Sequence, residues 1–198
     1  MEPVNILGLK LPTDPRWVNI AEKSIEDILI DHAYCEQKAA TTCISLIIRF
    51  YDKEEIVEQV SPIVAEEWAH FRRVLRELKN RGYRLKTPRK DEYVHSLLGF
   101  RRNGVSRDDR MLDELLICAL IEARSCERFR LLSLYINDDD LKKFYHEFMI
   151  SEAGHYTLFI KLAETYFDRQ KVRVRWQEFL DFEANFLKTF EFRSDRFH

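Results

Sequence analysis

Two short patterns carry the chemistry open to this sequence. Glu67 is followed three residues later by His70, and Glu152 by His155. On a helix, residues three apart lie on one face, so each pair can present a carboxylate and an imidazole to one metal ion. A glutamate precedes each pair at nearly the same distance, Glu36 by 31 residues and Glu122 by 30. That is enough chain for a helix to finish, turn and bring its antiparallel neighbour back to the same height. Four carboxylates and two imidazoles suit two divalent or trivalent ions, because carboxylates can bridge both ions and each imidazole can bind one. Oxygen-rich ligation with two histidines suits iron, without separating it from manganese, and a diferrous pair can reduce dioxygen. C–H hydroxylation, ferroxidase iron storage, peroxide reduction and radical generation all remain open to such a site, since ligands alone do not separate them. No residue beyond these six is assigned a catalytic role.

The choice of the two lone glutamates depends on register. Matching Cys35-Glu36 with Cys126-Glu127 would instead set Asp31 against Glu122. Equal spacing to the Glu-x-x-His pairs favours Glu36 and Glu122, with Glu127 left beside the site or on the surface. His32, one turn before Glu36, reads first as a hydrogen-bonded core histidine and second as a group that orients a ligand. His95, His146 and His198 read as exposed, and Cys43, Cys118 and Cys126 as small core residues. Gly154 falls between two ligands, where glycine costs about 1 kcal/mol relative to alanine in a helix; it suggests a π-bulge or a close helix approach.

The elements that must position these groups are helices. Five glycines and five prolines among 198 residues separate long segments whose apolar residues recur at steps of three and four. The first helix is expected from Asp14 and Pro15 to about Tyr51, with a stripe of Ile25, Leu29, His32, Glu36, Ala39, Cys43 and Ile47. The second begins near Asp52 and stops at Arg81 and Gly82, with Ile56, Val60, Ile63, Glu67, His70, Val74 and Leu78 in its stripe. Ser106 and Asp109 open the third, which carries Leu112, Leu115, Ala119, Glu122, Cys126 and Phe129 and ends before the acidic turn 137–140. The fourth runs through Leu141, Tyr145, Phe148, Glu152, His155, Phe159, Leu162 and Tyr166. All six candidate ligands thus sit in apolar stripes. An unpaired carboxylate there costs several kcal/mol or takes up a proton, so four of them require a shared compensating charge.

A further helix over 175–190, with Trp176, Phe179, Phe182, Phe186 and Phe190, should cover the side or end of the bundle. The connection 82–105 is long enough to travel the length of a bundle, with a short helix at about 91–98. The expected fold is therefore all-α, a four-helix bundle with a long crossover between helices two and three and an additional C-terminal helix. One Glu from each of two helices plus Glu-x-x-His from the other two is the ligand pattern of ferritin-like di-iron carboxylate proteins, which this arrangement resembles.

At this length and 45% hydrophobic content the chain reads as one domain, 1–198. A formal net charge of −2 excludes nucleic-acid binding through bulk charge, so any such surface must be local. Cys35, Cys43, Cys118 and Cys126 form no CxxC pair and fall in helical segments, which is reduced, intracellular usage. With neither a signal-peptide pattern nor a membrane-length apolar run, a cytoplasmic protein without membrane contact is expected.

The surroundings of the ligands are more specific than the ligands. IDHAYCEQKAA (30–40), AEEWAHFRRV (65–74), LIEARSCERFRLL (120–132) and SEAGHYTLF (151–159) resemble the corresponding segments of the MiaE family of bacterial tRNA hydroxylases, IEARSCERF most specifically. The resemblance implies a nonhaem di-iron monooxygenase that uses O2 to hydroxylate the isopentenyl group of 2-methylthio-N6-isopentenyladenosine beside the tRNA anticodon. It places the family's metal residues on Glu36, Glu67, His70, Glu122, Glu152 and His155, the same six. It also implies an unidentified electron donor as partner and a monomer or small oligomer that leaves room for tRNA. One independent feature is compatible with that substrate. Residues 81–110 hold nine basic side chains against four acidic ones; Arg84, Lys86, Arg89, Lys90, Arg101 and Arg102 are the candidate phosphate contacts, with Tyr93 and Phe100 as stacking groups. A solvated, charge-rich loop explains the same residues equally well. Arg169, Lys171, Arg173 and Arg175 form a smaller candidate patch. The competing readings are a ferritin-like iron-binding or ferroxidase protein and a small-molecule di-iron oxidase.

Overall fold

Long runs without glycine or proline leave the backbone little alternative to helix, and the chain takes it. A computed structural model describes residues 7–189, in which there are helices and no strands. They fall into two compact units, Lys23–Lys90 and the remainder of the described chain, 7–22 with 91–189.

The unit Lys23–Lys90 is a helical hairpin. Helices α2 (Ile25–Arg49) and α3 (Glu54–Asn80) pack along each other across a tight turn, 50–53. Phe50, only 1% exposed, plugs that turn. Glu54 and Glu55 place negative charge in the first turn of α3, where the helix dipole favours it. The buried face of α3 includes Ile56, Val60, Ile63, Glu67, Val74 and Leu78, as the periodicity predicts, but Phe71 is buried where His70 was expected and His70 is only half-buried. On α2, Leu29, His32, Glu36 and Cys43 are buried as expected, whereas Ile25, Ala39 and Ile47 are only half-buried and the neighbouring Ile28, Ala40 and Leu46 are buried instead. Gly82 ends α3 at a φ of +76°. Its N–H reaches the Lys79 carbonyl at 3.0 Å, and the Tyr83 N–H that of Leu78 at 2.8 Å, the double closure of a Schellman motif. The chain then returns beside α2. Tyr34 donates its hydroxyl to the Lys86 carbonyl, Lys86 pairs with Glu26 at 2.9 Å, and Arg89 with Asp27 at 3.0 Å.

The other unit is built around α5 (Arg107–Tyr135), which packs along α6 (Asp139–Tyr166) and is also covered by α1 (Trp17–Ala21), α4 (Glu92–Gly99) and α7 (Arg169–Lys188). Four of these helices start on side-chain caps: Asp91, Ser106, Asp138 and Asp168 accept from Val94, Asp109, Leu141 and Gln170 backbone N–H groups, satisfying donors the helix cannot. Phe129 stacks on Tyr145 and meets Phe148 at ring separations of 5.5 Å, joining α5 to α6.

Because α5 is enclosed, its charged side chains are enclosed too, and most find a protein counter-charge. Asp113 accepts from Arg175 Nε at 2.9 Å and from Arg102 Nη2 at 2.7 Å. Burial alone would raise the Asp113 carboxyl, but these two guanidinium groups hold it below the usual carboxylate range. Arg124 forms a two-pronged pair with Glu183 of α7 at 2.9 and 2.8 Å and donates to the Leu11 carbonyl at 3.0 Å. Glu183 also accepts from the Tyr93 hydroxyl at 2.8 Å. Glu127 Oε2 accepts from both the Thr13 hydroxyl, at 2.7 Å, and Arg124 Nη1. One buried network therefore fastens the 11–13 segment, α4 and α7 to α5. Next to it, burial and the neighbouring Arg124 lower the Arg128 guanidinium to about 10, and its plane lies 5.2 Å from the Trp17 ring.

Three expectations are corrected. The first helix is interrupted: α1 ends at Ala21, a 3-10 turn spans Glu22–Ser24, and α2 follows. The interruption lets Trp17, Val18 and Ala21 bury in the α5 unit, and Glu22 turns its carboxylate to the Asn137 N–H. The last helix starts at Arg169, six residues before 175, because Asp168 caps it; Phe190, like His198, lies outside the described residues. Gly154 makes neither a bulge nor a close approach. It is exposed within a regular α-helix, and a Cβ there would meet nothing within 4 Å.

Candidate metal centre

Each unit gathers three of the predicted ligands in its own interior. In Lys23–Lys90, α2 supplies Glu36 and α3 supplies Glu67 and His70, the last two brought onto one face by their spacing. Glu36 and Glu67 are 4% and 1% exposed, whereas the His70 side chain keeps 13%. His70 Nδ1 lies 3.3 Å from Glu36 Oε2 and 3.7 Å from Glu67 Oε2. One ligand atom from each of the three lies within 4.8 Å of the others. Glu36 has a second neighbour, since His32 Nε2 stands 2.7 Å from its Oε1.

In the other unit, α5 supplies Glu122 and α6 supplies Glu152 and His155, all buried. Their ligand atoms again lie within 4.8 Å of one another, with His155 Nδ1 3.6 Å from Glu152 Oε2. Cys126 is buried beside them, but burial, reinforced by Glu152, pushes its thiol up to about 12, and it donates to the Met149 carbonyl at 3.3 Å. Its sulfur is not among the clustered ligand atoms of the described residues.

The donor chemistry of each trio fits a metal ion. Two carboxylates buried side by side repel each other and have lost hydration, and a multivalent cation among them offsets both costs. With ligand bonds of about 2.0–2.2 Å, donors on one ion stand up to about 4.4 Å apart, so small side-chain adjustments bring each trio onto an ion. Glu127 belongs to the Arg124 network and not to this trio.

The candidate phosphate contacts divide into two kinds. Arg84, Lys86, Arg89 and Lys90 are exposed, although Lys86 and Arg89 hold the ion pairs with α2 described above. Arg102 is committed to Asp113, and Arg101 lies 3.5 Å from Glu114 and donates to the Leu98 carbonyl at 2.9 Å. In the second patch Arg175 is likewise a buried partner of Asp113, and Lys171 pairs with Asp109 at 2.7 Å. The stacking candidates are engaged within the protein: Tyr93 is buried against Glu183, and the half-buried Phe100 stacks on Phe182 at 4.2 Å. What sequence reasoning missed is the buried charge at Asp113, Arg124, Arg175 and Glu183. Glu183 in the aromatic-rich helix and Arg124 inside IEARSCERF were the available signals.

Known proteins resemble the chain over nearly its whole length. The sequence family described as tRNA-(MS[2]IO[6]A)-hydroxylase (MiaE) matches residues 1–198. A Pseudomonas putida protein named tRNA 2-(methylsulfanyl)-N(6)-isopentenyladenosine(37) hydroxylase is 38% identical over 83% of this chain and 78% of its own. A protein of the same name from Salmonella typhimurium is 25% identical over 96% of this chain and 87% of its own. Among solved structures, a protein from Synechococcus described by its aldehyde deformylating oxygenase activity superposes with a TM-score of 0.90 at 34% identity, covering 96% of this chain and 94% of that one. The fold class is accordingly all-α and ferritin-like.

Proposed function

The chain belongs to the MiaE family, and from that premise we propose that it hydroxylates the isopentenyl group of 2-methylthio-N6-isopentenyladenosine, the modified base beside the tRNA anticodon, with O2 and two iron ions. The match of the hydroxylase family to residues 1–198 carries this reading. We assign Glu36, Glu67, His70, Glu122, Glu152 and His155 to one dimetal centre, with the whole chain acting as a single catalytic domain. Bound iron would supply the oxygen-activating chemistry that hydroxylation of a C–H bond of the isopentenyl group demands.

The residues themselves bind, orient and keep water away. Burial of Glu67, Glu152 and His155 within apolar stripes excludes solvent, which strengthens every electrostatic interaction inside and protects a reactive oxidant from side reactions. Within the α2–α3 hairpin, His70 is the ligand whose side chain stays partly exposed, at 13%. The balance is R–H + O2 + 2 electrons + 2 protons giving R–OH + H2O, so an electron donor is a required partner. A tRNA substrate places this work in the cytoplasm, and no helix among the described residues is long and apolar enough to cross a membrane.

The test is to supply iron-loaded protein with O2, a reductant and tRNA bearing the isopentenylated base, then digest the tRNA and weigh its nucleosides. The expected product is a nucleoside heavier by one oxygen. Its absence from protein shown to hold iron would overturn the tRNA reading. An aldehyde in place of tRNA is the control that the Synechococcus neighbour calls for.

A further inference from the structure

His32 has no part in the ligand set, yet it is completely buried on α2 one turn before Glu36 and on the same face. Its Nε2 lies 2.7 Å from Glu36 Oε1. An ionised carboxylate only accepts, so the imidazole N–H is the donor. The other oxygen of the same carboxylate, Oε2, is the one turned to the metal-binding group: His70 Nδ1 lies 3.3 Å from it. The two oxygens of Glu36 are thus occupied by different tasks.

We infer that His32 is a positioning residue that holds Glu36 as a one-oxygen metal ligand, keeping Oε1 on the imidazole N–H and offering Oε2 alone to the ion. This rests on the reading that Glu36 binds metal. Deprived of His32, the Glu36 carboxylate is free to rotate about its last side-chain torsion and chelate with both oxygens, which raises the coordination number of that ion. Partners that orient a ligand are typically worth about 10–100-fold in metal affinity.

Cobalt(II) is a suitable probe, because its visible absorption weakens as coordination number rises. Cobalt titrated into metal-free full-length protein should give one spectrum for the wild type and for His32→Gln, which keeps an N–H donor at similar reach. His32→Leu, of similar bulk but without a donor, should give a weaker, shifted band and about 10–100-fold weaker binding of one of the two ions. In a Glu36→Gln background the His32→Leu change should add no further loss. A His32→Leu protein with wild-type circular dichroism, cobalt spectrum and affinity would overturn the inference, as would an equal further loss in the Glu36→Gln background. The wild type also tests it alone. Metal-loaded minus metal-free infrared difference spectra, with Glu36→Gln to assign the bands, should show the wide carboxylate splitting of one-oxygen ligation, and a narrow chelate splitting would refute it. Wild-type protein that takes up no cobalt would instead overturn the metal centre on which the inference rests.

Discussion

Buried charge in this protein has two fates, and α5 displays both. Asp113 and Arg124 meet opposite charges from the protein itself, at 2.7–2.9 Å for Arg102, Arg175 and Glu183. Glu122 instead shares a pocket of ligand atoms with Glu152 and His155, where another carboxylate is a neighbour. The two kinds of site should respond oppositely to substitution. Glu67→Ala or His155→Ala should lower the iron bound per chain, measured after iron loading and desalting; unchanged iron content would mean the ligand set is wrong. Arg124→Met should leave iron-binding side chains in place but strand Glu183 in the core. Removing one partner of a buried pair costs about 3–5 kcal/mol, to be read as a drop in the denaturant midpoint at unchanged slope, and a loss under about 1 kcal/mol would show that water or another group compensates. The Glu-x-x-His pairs were legible in the sequence because both members lie within one helical turn. The Arg124–Glu183 pair was not, since its members are 59 residues apart and nothing local couples them.

At the scale of the element, what was legible followed from local chemistry. Gly82 ended α3 where predicted because a glycine at positive φ satisfies the last carbonyls, and Ser106 opened α5 because its hydroxyl accepts the Asp109 N–H at 3.0 Å. The break at Glu22–Ser24 had no such local mark, being set by where Trp17 and Glu22 find partners far along the chain. The start of α7 did carry one, Asp168, which opens the helix six residues ahead of the start that the aromatic stripe alone implies. Gly154 shows the reverse error, a local signal without a tertiary cause. Since its position is regular helix with open space beyond the Cα hydrogen, Gly154→Ala should stabilise the protein by about 0.4–1 kcal/mol through helix propensity and the lost freedom of the unfolded chain. Iron content should not change, although Gly154 stands between two ligands in sequence. A lower melting temperature would mean that the glycine serves an approach by another molecule or a helical distortion absent from this structure.

The molecule as a whole carries a formal charge of −2, so a tRNA approaching it gains nothing from net charge and must be held by local cations. We propose the exposed segment 84–90 for that role. Arg84 and Lys90 are exposed, and Lys86 and Arg89 hold exposed ion pairs with Glu26 and Asp27. Pairs of that kind are worth about 0–1 kcal/mol, so a phosphate can displace either carboxylate at little cost. Arg102 cannot be released in the same way, because its loss would leave Asp113, 0% exposed, short of a partner. Each phosphate contact with a single-stranded loop contributes about 0.7 to the slope of log affinity against log salt. Arg84→Ala and Lys90→Ala should therefore each flatten that slope by roughly 0.7 in a tRNA-binding titration, with the melting temperature unmoved. Arg102→Ala should do the opposite, lowering the melting temperature while the slope of the protein that remains folded stays as it was. If the slope is indifferent to Arg84 and Lys90 but falls with exposed cations elsewhere, the 84–90 segment is a solvated connector whose ion pairs only hold it against α2.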